Sequence, residues 1–189
     1  YLTPQSLEQA LQQLSQAPDG SRLLAGATDT LPWARQGRGG DVSGDAHVPW
    51  IIDISRIAEL NGYSIDAGRV RIGAMLVLQA FLEDPVLREH LPAMPYCAIW
   101  FADDQIRRQA TLVGNLVNAS PAADGTPPML ALDATLEIAS LVDGQVVTDT
   151  SYWQYVTPSI IPKLFFGFLN VITVFFQTLI SEDATASYT

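Results

Sequence analysis

Two turns built from small and hydroxylated residues, each set between apolar runs, restrict the folds open to this chain. The first is Leu24-Ala25-Gly26-Ala27-Thr28-Asp29-Thr30, and the second runs from Thr111 through Val113-Gly114-Asn115 to Ala122-Ala123-Asp124. Glycine and other small residues let a backbone come close to another surface, and N–H groups in such turns can converge on an anion. Each turn by itself reads either as a packing turn or as a ligand loop. Charge narrows the ligand. Twenty acidic residues face ten basic ones, for a net charge of -10, and nine arginines precede residue 109 with Lys163 alone after it. A nucleic acid is repelled by such a chain. A pyrophosphate would be held by backbone donors, hydroxyls and the Asn115 amide rather than by lysine. The single cysteine, Cys97, excludes an internal disulfide and an iron–sulfur cluster or four-cysteine zinc site held by this chain alone. A reducing cytoplasm is its simplest home, and the first residues show no basic region followed by an apolar one.

The periodicity predicts an α+β protein. Leu7, Ala10, Leu11 and Leu14 recur at helical spacing behind Ser6 as a cap. Strands follow at Arg22–Ala25 and Trp50–Ile54, separated by the first turn and a glycine-rich loop, residues 36–49. Residues 1–55 thus read as a small α/β lobe. Residues 56–150 read as a second lobe of antiparallel sheet and helices, with hairpins at Tyr63–Gly73 and around Asp143-Gly144, and helices at Val77–Phe81, Pro85–Leu91 and Pro95–Arg108. In the last of these Ala98, Ile99, Ala102 and Ile106 are expected inward. Composition shifts at 151–189: five of the seven phenylalanines lie in Ile160–Ile180, which has no carboxylate. That stretch reads as a packed or misfolding-prone tail, as strands, or as a membrane segment close to the necessary length of about 20 residues.

Taken in order, AGATDT at 25–30, DIS at 53–55, RIGA at 71–74 and QIRRQATLVGNLVNASPAADGTPPMLALDA at 105–134 resemble the FAD-binding domain of the medium, flavin-carrying subunit of molybdenum hydroxylases, the group of aerobic carbon monoxide dehydrogenase and xanthine dehydrogenase. The resemblance covers residues 1–150. It implies a two-lobed FAD-binding fold of the vanillyl-alcohol oxidase (PCMH) type, with FAD extended between the lobes. It implies that Leu23, Leu24, Ala25, Gly26, Ala27, Thr28, Asp29 and Thr30, with Thr111, Gly114 and Asn115, contact the pyrophosphate and adjoining ribityl region. Asp124 would bind an adenosine hydroxyl, with Ala123 alongside. The implied activity is that of an oxidoreductase subunit passing electrons to an external acceptor such as NAD or a quinone. Its implied partners are a large molybdenum-cofactor subunit and a small 2Fe-2S subunit.

Several positions depart from the family pattern. The first turn commonly carries two glycines before its threonine, and here the second is Ala27, compatible with a negative φ. The usual glycine pair before the asparagine is Val113-Gly114, which requires that Val113 not be left-handed. Residues 151–189 do not match the family's remaining strands or its small C-terminal domain, so the chain reads as incomplete or altered at its C-terminal end, and trimming 152–189 is expected to improve solubility. The competing reading is a flavin-free fragment or subunit-docking module without activity. His47 and His90 read as surface residues, Cys97 as core, Asp53 as a cap or turn residue, and Asp103-Asp104 with Arg107-Arg108 as a solvated salt-bridge face. No catalytic residue and no metal site is expected.

Overall fold

A computed structural model describes residues 1–35, 48–118, 123–152 and 171–179. The loop expected at 36–49 and His47 therefore lie largely or wholly outside the described residues.

The chain begins by completing a small parallel sheet. Leu2 exchanges hydrogen bonds with the 51–53 backbone (2.8 Å each way), beside the parallel pair β1 (Arg22–Leu24) and β2 (Ile51–Asp53). Before β1 in the chain comes α1 (Leu7–Gln16), capped by Ser6, whose hydroxyl accepts from the Gln9 N–H at 3.2 Å. Its apolar stripe buries Ala10 and Leu11 completely. After the first turn comes α2 (Thr30–Arg35).

The larger sheet has the order β3-β4-β7-β5-β6 with antiparallel neighbours throughout. The hairpin of β3 (Tyr63–Asp66) and β4 (Arg69–Ile72) turns at Ala67-Gly68, and that of β5 (Thr135–Val142) and β6 (Gln145–Tyr152) at Asp143-Gly144. Both central residues of each turn have positive φ (46° and 75°, 50° and 77°), the backbone that matches the twist of a two-residue hairpin. The expected hairpins are thus present, the second longer than its apolar core suggested.

The order of the sheet corrects the reading of residues 151–189. Val171–Leu179 forms β7, which occupies the centre of the sheet between β4 and β5. Its register sets Phe176 opposite both Ile72 and Leu136, residues that are themselves buried. An ion pair, Arg71 Nη2 to Glu137 Oε2 at 2.7 Å, joins β4 and β5, the two neighbours of β7. Among the strands offered for this stretch, packed tail and membrane segment, the backbone of 171–179 adopts the strand. Among the described residues no helix is long and apolar enough to cross a membrane.

Helices cover the sheet. One buried cluster runs from Ala10 and Leu11 through Ile54, Ile72, Phe81, Leu112, Met129 and Leu136, and α1 touches β2, β5, β6 and β7. The α3 helix (Ala80–Glu83) begins later than expected, because Val77 bridges Thr111 and the Leu78 N–H donates to Ala110 O at 2.9 Å. Asp84 caps α4 (Pro85–His90) through the N–H groups of Val86 and Leu87, and accepts from the Tyr63 hydroxyl at 2.8 Å. That hydroxyl bond comes first among the causes holding the Asp84 carboxyl below its usual pKa.

The helix expected at Pro95–Arg108 is two helices, α5 (Ala93–Ala98) and α6 (Asp104–Arg107). Ala102 is left-handed at φ 43°, and Asp103 caps α6 by accepting from the Ile106 N–H at 2.8 Å. Arg107 Nη1 donates to the carbonyls of Phe101 (2.9 Å) and Ala102 (3.0 Å), and its Nε donates to Gln79 Oε1 at 3.0 Å. The guanidinium thus satisfies carbonyls that a continuous helix would have paired internally. Of the four residues expected inward only Ala98 is buried, while Ile99 and Ile106 are exposed. Of the salt-bridge face expected from Asp103-Asp104 and Arg107-Arg108 the exposed Asp104–Arg108 pair is present, and Arg108 also pairs with Glu83, while Asp103 caps α6 and Arg107 is turned inward.

Central placement of β7 reverses the expectation that trimming the tail improves solubility. A chain ending at Tyr152 exposes the inner edges of β4 and β5, and such unpaired edges recruit other strands. Such a variant should aggregate and lose the cooperative thermal transition of the whole chain, checked by size-exclusion chromatography and calorimetry. A soluble variant with an unchanged transition would show that β7 does not hold the sheet together.

Candidate functional site

The first turn leaves the end of β1 with Leu23 and Leu24 as strand residues, and the Leu24 carbonyl accepts from the Ile54 N–H at 3.0 Å. It then bends at Ala27, whose φ is +59°. This corrects the expectation of a negative φ: an alanine occupies a left-handed position, which an L side chain tolerates at a cost of about 1–2 kcal/mol and glycine does not resist. The bend turns the chain into α2, with the Leu31 N–H donating to Ala27 O at 3.2 Å and the Trp33 N–H to Asp29 O at 2.9 Å. Among the described residues the N–H groups of Gly26, Ala27, Thr28, Asp29 and Thr30 have no acceptor. Five successive donors beside a left-handed residue suit an anion.

The second turn begins α7 (Leu112–Val117). Thr111, 2% exposed, caps it by accepting from the Gly114 N–H at 3.0 Å, and its own carbonyl accepts from the Asn115 N–H at 3.0 Å. Val113 is helical and buried, so the β-branched residue sits without strain in the place of the usual first glycine. A Cβ at Gly114 would stand 2.8 Å from the Thr111 hydroxyl oxygen, so a side chain there presses on the cap. Farther on, Ala123 is buried, Asp124 exposed and Gly125 buried at the entry to α8 (Thr126–Ala131). Asn115 Oδ1 accepts the Gly125 N–H at 3.0 Å. Ala119–Ala122 lie outside the described residues.

Folding brings the two turns into contact although they are more than eighty residues apart in sequence. A Cβ on Gly26 would meet the Gln109 carbonyl oxygen at 1.9 Å and the Ala110 Cα at 3.1 Å, so the first turn lies directly on the backbone that leads into the second. Asn118 Nδ2 donates to Asp29 Oδ2 at 2.9 Å, tying the far end of α7 to the first turn. Gln109, Ala110, Asn118 and Gly125 were not among the residues singled out from the sequence. All four lie inside the 105–134 stretch, and the signal that could have found Gly125 is a glycine directly after the acidic residue.

Asp53 is the turn residue of the expectation, whereas Cys97, expected in the core, is only partly buried. Asp53 accepts from the Ser55 N–H at 2.9 Å and from the Tyr1 hydroxyl. Burial works against its carboxylate, but the bonds from Ser55 and Tyr1 hold it below its usual pKa. Its contribution to stability is therefore present above the unfolded pKa and lost as the pH falls through the folded one. Cys97 lines a narrow apolar depression with Met94, Phe101, Leu112, Asp124 and Gly125. Among the described residues no cluster of three histidine, cysteine or acidic side chains is placed to hold a metal.

Two substitutions test this geometry. Gly26→Ala should push the first turn off Gln109, a small-to-large change costing about 1–3 kcal/mol or more. Ala27→Gly should relieve the left-handed alanine and stabilise by about 0.5–1 kcal/mol once the extra freedom of an unfolded glycine is counted. Thermal unfolding checks both, and equal midpoints for Gly26→Ala and the parent chain would place the first turn away from 109–110.

Comparison with known proteins gives the family. The family described as the FAD binding domain in molybdopterin dehydrogenase matches residues 1–158; a second family, selenoprotein SelK_SelG, matches residues 141–189, a minority of the chain that carries no argument. A xanthine dehydrogenase FAD-binding subunit of Escherichia coli O157:H7 is 35% identical over 141 residues, covering 74% of this chain and 46% of the relative. The carbon monoxide dehydrogenase medium chain of Hydrogenophaga pseudoflava is 31% identical over 134 residues, covering 71% of this chain and 44% of its own length. The chain thus spans about half the length of these curated relatives. Among solved structures, quinoline 2-oxidoreductase from Pseudomonas putida 86 superposes with a TM-score of 0.76 at 22% identity, over 96% of this chain and 59% of that one. Carbon monoxide dehydrogenase from Hydrogenophaga pseudoflava superposes with a TM-score of 0.74 at 24% identity over the same shares. At these identities the likeness is one of fold, and at 96% coverage it runs beyond the first 150 residues into the stretch that holds β7. With the family match spanning most of the chain and falling on both turns, this chain belongs to the FAD-binding domains of molybdopterin dehydrogenases.

Proposed function

We propose that this chain binds FAD across its two joined turns and serves as the flavin-carrying part of a molybdenum hydroxylase. One observation carries the reading: Gly26 seated on Gln109 sets five N–H groups, Gly26–Thr30, which have no acceptor among the described residues, beside the capped start of α7. These groups fit a pyrophosphate. They are neutral donors in a chain of net charge -10, and the turn has no bulky side chain to hold a phosphate away. Asp124, exposed between two buried residues, offers a carboxylate to a ribose hydroxyl. FAD then lies between a lobe of residues 1–55 and a lobe of residues 56–150, as in the vanillyl-alcohol oxidase type, since each lobe supplies one turn.

FAD held there would supply redox chemistry between an iron–sulfur partner and an external acceptor such as NAD or a quinone. The chain's own residues bind and orient. Backbone N–H groups of Gly26–Thr30 neutralise phosphate charge, Thr111 fixes the first turn of α7, and the Asn118–Asp29 bond keeps the turns together. A large molybdenum-cofactor subunit and a small 2Fe-2S subunit complete the assembly in this reading.

Titrating the purified chain with FAD should quench flavin fluorescence with a single-site isotherm, and acid denaturation should release all the flavin into the supernatant, because Cys97 is in neither turn. Flavin remaining with the pellet would contradict a non-covalent site. A chain that takes up no FAD would favour the flavin-free docking module.

A further inference from the structure

We propose that Asn115 is a positioning residue for Asp124: its side-chain oxygen fixes the turn that carries the Asp124 carboxylate, and the residue acts on the ligand through that turn. The inference deepens the FAD reading and rests on it. Within α7 the Asn115 side chain has no structural task, because the Thr111 hydroxyl takes the Gly114 N–H and the Thr111 carbonyl takes the Asn115 N–H. Instead Asn115 Oδ1 reaches ten residues along the chain to accept the Gly125 N–H at 3.0 Å in a partly buried setting.

The contact is tight on both sides. A Cβ at Gly125 would stand 2.7 Å from Asn115 Oδ1 and 2.8 Å from Leu112 Cδ1, so the Gly125 backbone lies hard against α7. The Thr126 N–H donates to Ala123 O at 3.1 Å and closes the turn, and Pro127 and Pro128 follow. Ala123 and Gly125 are buried while Asp124 between them is exposed, so the direction of its carboxylate is set by where its two neighbours are anchored. A carboxylate that accepts from a diol must be held to a fraction of an ångström to meet both hydroxyls. Without the Asn115 oxygen a half-buried N–H loses its acceptor, and the turn is released from α7.

The test is a double-substitution cycle on the full chain, read by FAD titration: Asn115→Ala, Asp124→Ala and the pair together. Each single change should weaken FAD binding about tenfold, and the pair should be no weaker than roughly either single, because both remove the same contact. Asn115→Asp keeps an acceptor for Gly125 but adds a charge near the phosphate site, so it is read by exchange alone. Amide hydrogen exchange at Gly125 should quicken in Asn115→Ala and not in Asn115→Asp. Losses that multiply to about a hundredfold in the pair would show the amide meeting the ligand independently of Asp124 and overturn the proposal. Unchanged exchange at Gly125 in Asn115→Ala would overturn it whatever happens to FAD. No binding by the unsubstituted chain would instead strike the FAD reading itself, and is recognised before any variant is made.

Discussion

A Cβ on residue 26 would stand 1.9 Å from the Gln109 carbonyl oxygen, so the first turn can rest on the 109–110 backbone only because Gly26 has no side chain. From that seat the rest of the site follows. The turn must then bend away at once, which places Ala27 in the left-handed region and brings Asp29 within reach of Asn118. Among the described residues the N–H groups of Gly26–Thr30 meet no acceptor, the condition under which an anion is a natural partner.

The surface that receives Gly26 is itself held from behind. Leu78 and Gln79 donate their N–H groups to the carbonyls of Ala110 and Arg107, and Arg107 grips the Gln79 side chain and the corner carbonyls of Phe101 and Ala102. Its side chain is only 12% exposed. A buried guanidinium with its donors filled by carbonyls and an amide is a rigid brace, since each bond to a charged donor is worth more than a neutral one. The break between α5 and α6 is therefore what positions the 107–111 segment, and a continuous helix through residue 102 would carry that segment elsewhere.

The five-stranded sheet is built from segments far apart in the chain. β4 and β5 do not pair with each other; β7, from residues 171–179, lies between them, and the Arg71–Glu137 ion pair links the two across that strand. The α1 helix lies against β5 and β7, and one apolar cluster joins Ala10 and Leu11 of α1 to Leu136 and Ala139 of β5. A site made of two turns can be stiff only if the elements carrying them share such a core.

Local chemistry was legible in the residues themselves. Ser6 before an apolar 3.6-residue pattern and Asp143-Gly144 between alternating strands declare a cap and a hairpin, and the small residues at 25–30 and 111–124 declare two turns that alone read as packing turns or ligand loops, because such features depend on neighbours within a few positions. The α+β class followed from the periodicity, and the flavin family from the resemblance of the ordered motifs between residues 25 and 134. Three things were decided only by the tertiary structure. Residues 171–179 became a central strand because β4 and β5 each had an edge to pair, although their β-branched and aromatic pattern also fits a membrane segment or a loose tail. Residues 95–108 became two helices because Arg107 found carbonyls across the corner to satisfy. Asn115 turned to Gly125 because folding presses residue 125 onto α7. In each case the deciding partner lies many residues away in the chain or on another element, and a pattern confined to one segment has no means of registering it.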